Sequence, residues 1–142
     1  MEFRIMTYNI YGARLADGKK LAKSIKKYKP DFVALQEVDK NTKRSNFRDV
    51  TQDFALELGY NYYYFQKAMD FDSGEYGIAF ISKYDVKNIY VHELPSAGNE
   101  KRQVLAAQIS SKYKKHILVI NTHLDYEPAV KSTQIDDLMT VI

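Results

Sequence analysis

The chain has no cysteine, so it carries neither a disulfide framework nor a thiolate metal site. With only 6 glycines and 3 prolines in 142 residues it shows no linker, repeat or low-complexity stretch, and its length allows at most one domain with a real core. No apolar run approaches membrane-spanning length. The opening MEFRIMTYNI lacks the long apolar core and small-residue cleavage site of a secretory leader and reads directly as a strand. A cytoplasmic protein is the default, and a secreted mature form with its leader removed would look the same. A strong charge of one sign is also missing: 21 Lys and Arg against 18 Asp and Glu leave +3. That balance suits a phosphate-bearing substrate but is too small to mark a nucleic-acid binder by itself. Neither a Walker A loop nor a dinucleotide fingerprint is present. Tryptophan is absent, and 12 Tyr and 7 Phe supply the aromatics. The Tyr60, Tyr62, Tyr63 and Tyr64 group alternates across a strand, as core and sheet surface rather than as a base-stacking platform.

The hydrophobic pattern predicts a strand over Phe3 to Ile10, then a helix from Asp17-Gly18 through Tyr28. In that helix Leu21, Ala22, Ile25 and Tyr28 share helical spacing and five lysines take the other sides. Pro30 stops the helix and opens a strand to Glu37. A polar loop covers 39–48, and a second helix runs from Val50 to Leu58 with Gly59 as its stop. Five strand-like segments follow: Tyr60 to Gln66, Gly77 to Ser82, Val86 to Leu94, Arg102 to Ile109 and His116 to Leu124. Gly74-Glu75-Tyr76-Gly77 reads as a flexible turn into the second of them. Pro128 begins a last helix whose apolar stripe is Ile135, Leu138, Met139 and Ile142. The order β-α-β-α, then strands, then a helix, argues a layered mixed α/β fold rather than a regular doubly wound one.

The segment PDFVALQEVD, residues 30 to 39, is an apolar strand that ends on an acid. Period-two alternation places Val33, Leu35 and Glu37 on one face and Phe32, Ala34, Gln36 and Val38 on the other. A carboxylate continuing an apolar face is costly to bury unless something cationic holds it. Two more strands end in the same way, TYNI on Asn9 and VINTHLD on His123 and Asp125. Such residues at the C-terminal ends of strands suggest one converging site. The chemistry fits a hard cation: magnesium takes oxygen ligands, keeps several waters, and is commonly held by one or two carboxylates plus a substrate phosphate. Glu37 supplies a carboxylate, Asn9 an amide, and His123 a hydrogen-bond donor or proton carrier. Arg102, at the mouth of its strand, can clamp phosphate while Glu100 orients it. Each residue also has a structural account: Asn9 as turn chemistry, His123 as a satisfied structural histidine, Glu37 and Arg102 as members of ion pairs. Lys43, Arg44 and Arg48 in the 39–48 loop read equally as phosphate contacts or as solvated charges.

Taken in order, MTYNIYG (6–12), PDFVALQEVD (30–39), TKRS (42–45), GEYGIAFISK (74–83), LPSAGNEKR (94–102) and NTHLD (121–125) resemble the endonuclease/exonuclease/phosphatase superfamily. This is the magnesium-dependent, deoxyribonuclease I-like fold of two sheets packed face to face with helices outside. The resemblance implies a metal-dependent phosphoesterase that works by water attack on a phosphodiester or phosphomonoester, with Mg2+, or Mn2+ in its place, as cofactor. It implies Glu37 as metal-binding carboxylate, with Asn9 assisting at the metal or the phosphate. Arg102 and His123 would be the catalytic residues at the phosphate, and Tyr76 and Asp125 would line the site. The substrate class stays open among nucleic acid, phospholipid headgroups and small phosphoesters. The family's later Gly-Asp-x-Asn and Ser-Asp-His segments do not occur in these 142 residues. The expectation is therefore approximately the first half of the domain, inactive alone, ending inside a helix and leaving one sheet face bare for self-association. The alternative is a non-catalytic binding or scaffold module that retains the fold.

Overall fold

A computed structural model of the chain describes residues 2–98, 100–110 and 116–142. Among them are seven strands and three α-helices: β1 (Ile5–Asn9), α1 (Gly18–Lys26), β2 (Phe32–Lys40), α2 (Val50–Leu58), β3 (Tyr62–Phe71), β4 (Gly74–Ser82), β5 (Val86–Glu93), β6 (Gln103–Ser110), β7 (His116–Thr122) and α3 (Pro128–Val141). The strands form two sheets, β1-β2-β4-β3 and β5-β6-β7. The β1–α1–β2 crossover makes the parallel pair, and the other pairings are antiparallel.

The apolar character of β2 follows from burial on both faces. Val33, Leu35 and Val38 pack with Ala22 and Ile25 of α1 and with Phe54, Ala55 and Leu58 of α2. Phe32 and Ala34, with Ile78 and Phe80 of β4, meet Leu105, Ala107, Ile109 and Val119 of the second sheet. The inner face of the first sheet is not the face left bare, because the second sheet covers it. The apolar surface that stays open is the outer face of the second sheet, where Tyr90 and Leu118 are about half exposed. There a groove of about 440 Å³ runs against Leu138, Val141 and Ile142 of α3.

Local chemistry sets the boundaries. Asp17 caps α1 by accepting from the Lys20 N–H at 2.9 Å. The helix stops at Lys26 rather than Tyr28 because the Tyr28 and Lys29 amides fall back on the carbonyls of Ile25 and Lys26. Lys29 then turns to φ +50° ahead of Pro30. α2 has the expected bounds, capped by Asp49 and closed by Gly59 at φ +76°. The β3–β4 turn lies at Asp72-Ser73, both at positive φ in a two-residue hairpin. Gly74 to Gly77 therefore belongs to β4 itself, not to a flexible turn. Gly77 is required by close approach, since a Cβ there would lie 1.9 Å from the Gln66 carbonyl oxygen on β3.

The apolar stripe read on α3 does not face a core: Ile135, Met139 and Ile142 are exposed, and the wholly buried residue is Gln134. Its carboxamide accepts from the Asp125 N–H and donates to the Pro95 carbonyl, each at 2.8 Å. His92 Nε2 adds a 2.7 Å contact to Asp137. Polar contacts, not apolar burial, seat this helix.

Near the C-terminal end of β2, Asp39 is fully buried. Its carboxylate accepts from Arg44 Nη2 at 2.8 Å and from the Thr42 hydroxyl at 2.7 Å. The Arg44 guanidinium lies 4.4 Å from the Phe71 ring centroid and covers Gly12, where a Cβ would come within 2.7 Å of it. This ion pair ties the 39–48 loop to the turn that follows β1. Removing one partner of a buried pair strands the other charge, so Arg44→Ala should cost about 3–5 kcal/mol in denaturant unfolding. The Asp39→Asn/Arg44→Met double variant, which removes both charges, should recover most of that. A loss under about 1 kcal/mol for Arg44→Ala would show that the pair does not tether the loop.

Candidate active site

The strand carrying Glu37 does not continue in simple alternation. Between Leu35 and Val38 the β2–β4 register slips: Leu35 faces Ala79 and Val38 faces Gly77, so Gln36 and Glu37 together oppose Ile78. Glu37 is the bulged residue, at φ +54°. The alternation read from the sequence is corrected accordingly. Val38 rejoins Val33 and Leu35 on the helix side, Gln36 points between the sheets, and the Glu37 carboxylate leaves the apolar face for the strand ends. A left-handed non-glycine residue costs on the order of 1 kcal/mol. Burying an unpaired carboxylate would cost several times more.

Four of the residues anticipated for the site meet there. Asn9, the last residue of β1, accepts from the Tyr11 N–H at 3.0 Å through Oδ1 and donates through Nδ2 to Glu37 Oε2. Its oxygen is thus engaged, and it reaches Glu37 as a donor that orients the carboxylate. His123, one residue past β7, places Nε2 3.9 Å from Glu37 Oε2. Its Nδ1 lies 2.8 Å from Arg102 Nη1. Arginine is always protonated and only donates, so Nδ1 accepts and the neutral ring carries its proton on Nε2, toward Glu37. Burial, with the Arg102 charge added, holds the His123 pKa below its usual 6.5 against the opposing pull of Glu37, Glu100 and Asp125.

Arg102 precedes β6 and is 5% exposed. Its Nη2 pairs with Glu100 Oε2 at 3.1 Å, its backbone N–H donates to the Ser96 hydroxyl at 2.9 Å, and its buried Nε has no hydrogen-bond partner among the described residues. Tyr76, buried on β4, completes one wall. Burial first, then the nearby Glu100 and Glu37 charges, push its phenol far above 10, so it stays a neutral hydroxyl beside Glu100. Tyr76, Glu100, Arg102 and His123 line one narrow slot.

Asp125 is buried but does not join this cluster by hydrogen bonds. Its Oδ1 accepts from the Glu127 N–H at 2.9 Å and shapes the entry to α3, and it reaches His123 only through its charge. The loop arginines are paired with carboxylates, Arg44 with the buried Asp39 and the largely exposed Arg48 with Asp53 at 2.6 Å. Among the described residues no three His, Cys, Asp or Glu side chains are grouped to cage a metal, and no helix is long and apolar enough to cross a membrane. The apolar groove on the second sheet contains no member of this cluster. What the sequence did not single out is the pair behind the site, Gln36 and Asn121, whose signal was a carboxamide on the same strand face as an apolar core residue, Ala34 before Gln36 and Val119 before Asn121.

The sequence matches the model of the Endonuclease/Exonuclease/phosphatase family over residues 6–139. Among solved structures, it superposes on an endonuclease/exonuclease/phosphatase from Beutenbergia cavernae DSM 12333 with a TM-score of 0.79 at 21% identity. It superposes equally on an endonuclease/exonuclease/phosphatase family protein from Leptotrichia buccalis C-1013-b with a TM-score of 0.77 at 16% identity. Each superposition takes in 99% of this chain, which spans 44% of the first protein and 63% of the second. At those identities the likeness is one of fold, and the two-sheet arrangement is shared. No curated protein matches the chain. The family match over nearly the whole length shows that the chain belongs to the endonuclease/exonuclease/phosphatase family.

Proposed function

We propose that these residues form the cation-holding and phosphate-contacting side of a metal-dependent phosphoesterase site. The observation that carries this reading is the meeting of Glu37, Asn9, His123 and Arg102 at one end of the two sheets, on segments far apart in sequence. Family members are generally phosphoesterases. The donor set fits Mg2+, or Mn2+ in its place, as a water-rich ion on one carboxylate: Glu37 is 22% exposed, at the open end of its strand, and oriented by Asn9. Such an ion supplies positive charge at a phosphoryl oxygen and lowers the pKa of water. The chain's own groups supply the rest. Arg102, held by Glu100, presents fixed positive charge to phosphoryl oxygens. Neutral His123 donates its Nε2 proton in the same direction, and the Tyr76 hydroxyl stands beside them. The substrate is a phosphodiester or phosphomonoester, with nucleic acid, phospholipid headgroup and small phosphoester as the candidate classes.

These 142 residues contain no Gly-Asp-x-Asn or Ser-Asp-His segment, so binding rather than turnover is the expected activity of this chain alone. Mn2+ titration followed by water-proton relaxation should show binding, and Glu37→Gln should weaken it by more than about tenfold. Unchanged binding in that variant would remove the cation assignment. Robust Mg2+-dependent hydrolysis across a panel of phosphodiesters and phosphomonoesters, abolished by Glu37→Ala, would overturn the expected inactivity. No turnover and no cation binding would favour a non-catalytic module.

His123 makes a second prediction. Its folded-state pKa lies below 6.5, the unfolded value, so the unfolded chain binds more protons in the window between the two. Stability rises with pH through that window and falls as the pH drops below 6.5. His123→Gln should flatten this part of the stability–pH curve, and the His123 ring resonances should titrate below 6.5. A midpoint above that value would contradict the argument from burial.

A further inference from the structure

Asn121 lies on the inner face of β7, 3% exposed, directly opposite the core residue Leu105 on β6. Two residues earlier, Val119 fills the same face with hydrocarbon. A buried carboxamide there is expensive unless its donors and acceptor are all used, and they are. Nδ2 donates to the carbonyls of Leu35 at 3.1 Å and Ala79 at 2.9 Å. Oδ1 accepts from Gln36 Nε2 at 2.8 Å, and Gln36 Nε2 in turn reaches the Thr7 hydroxyl of β1 at 3.0 Å.

Leu35 and Ala79 are the last matched pair before the register slips, and Gln36 is the residue next to Glu37 in the bulge. The Asn121 carboxamide therefore takes hold of the bulge from the opposite sheet at the step where the β2–β4 ladder is interrupted. We propose that Asn121 is a positioning residue for Glu37: it stabilises the bulge that turns the Glu37 carboxylate out of the core and into the site. Carboxylate in place of carboxamide would set oxygen against both carbonyls, and an aliphatic side chain of the same shape would donate nothing to either. Because Asn121 and His123 lie two residues apart on one segment, the contact also locks the distance between Glu37 and His123 across the two sheets. The consequence for cation binding rests on the reading of Glu37 given above, whereas the conformational claim stands apart from it.

NMR of the protein tests both. In the unmutated chain Glu37 should show the strong intraresidue amide–α-proton NOE of positive φ, and the Asn121 carboxamide protons should be protected from exchange. Rapid exchange of those protons would overturn the proposal without any variant. Asn121→Leu and Asn121→Asp should abolish the Glu37 NOE and weaken Mn2+ binding by roughly tenfold to a hundredfold. Val119→Ala, which loosens the same core face without touching the bulge, should keep both signals. In a Glu37→Gln background, Asn121→Leu should have little further effect on Mn2+. Persistence of the Glu37 NOE in folded Asn121 variants would refute the positioning role. Absence of Mn2+ binding in the unmutated chain would refute only the cation reading, with the NOE still deciding the role of Asn121.

Discussion

A strand buried on both faces cannot carry an unpaired carboxylate toward either one, and the site follows from how β2 escapes that constraint. One extra residue is inserted opposite Ile78, Glu37 takes a left-handed backbone, and the two alternating faces of the strand exchange roles beyond it. Val38 returns to hydrocarbon, while Glu37 goes to the strand ends. The bulge interrupts a ladder in the interior, where unpaired carbonyls are costly, and the second sheet supplies an amide at that point. The packing of the two sheets and the direction of one carboxylate are thus a single problem.

Charge is arranged around that carboxylate in alternation. Glu37 and Glu100 each stand 3.9 Å from a different nitrogen of His123, and Arg102 lies behind the ring, held by Glu100. Arginine on Nδ1 settles the tautomer, and burial together with the same positive charge keeps the ring neutral. The result is a donor facing the carboxylate, with fixed positive charge one step back. Two residues farther along β2, Asp39 and Arg44 neutralise each other and cover Gly12, so the turn after Asn9 is tied to the strand that carries Glu37.

Much of the fold was legible because its signals are local. Helical spacing with Asp17 and Asp49 as caps, Gly59 and Pro30 as stops, and runs of β-branched and aromatic residues depend on neighbours a few positions away. The errors share another cause. Tyr28 lost its helix to the strain before Pro30. The stripe on α3 had the right spacing, yet Gln134 and Asp137 seat the helix through partners dozens of residues distant. Arg44 and Arg48 read equally as phosphate contacts or as solvated charges, because their carboxylate partners are visible only in the fold.

From the chain alone came the family, the element order and the residue types that gather at the strand ends, because each is carried by short motifs whose chemistry does not need a partner. Tertiary structure alone decided that Glu37 is bulged, that Asn9 offers it an amide, and that Arg102 fixes the proton of His123 on Nε2. It also decided that Asn121 reaches across to the Leu35 and Ala79 carbonyls. Period-two alternation assumes an unbroken ladder. Whether a ladder breaks, and what satisfies the break, is set by groups that folding brings together from 85 residues away.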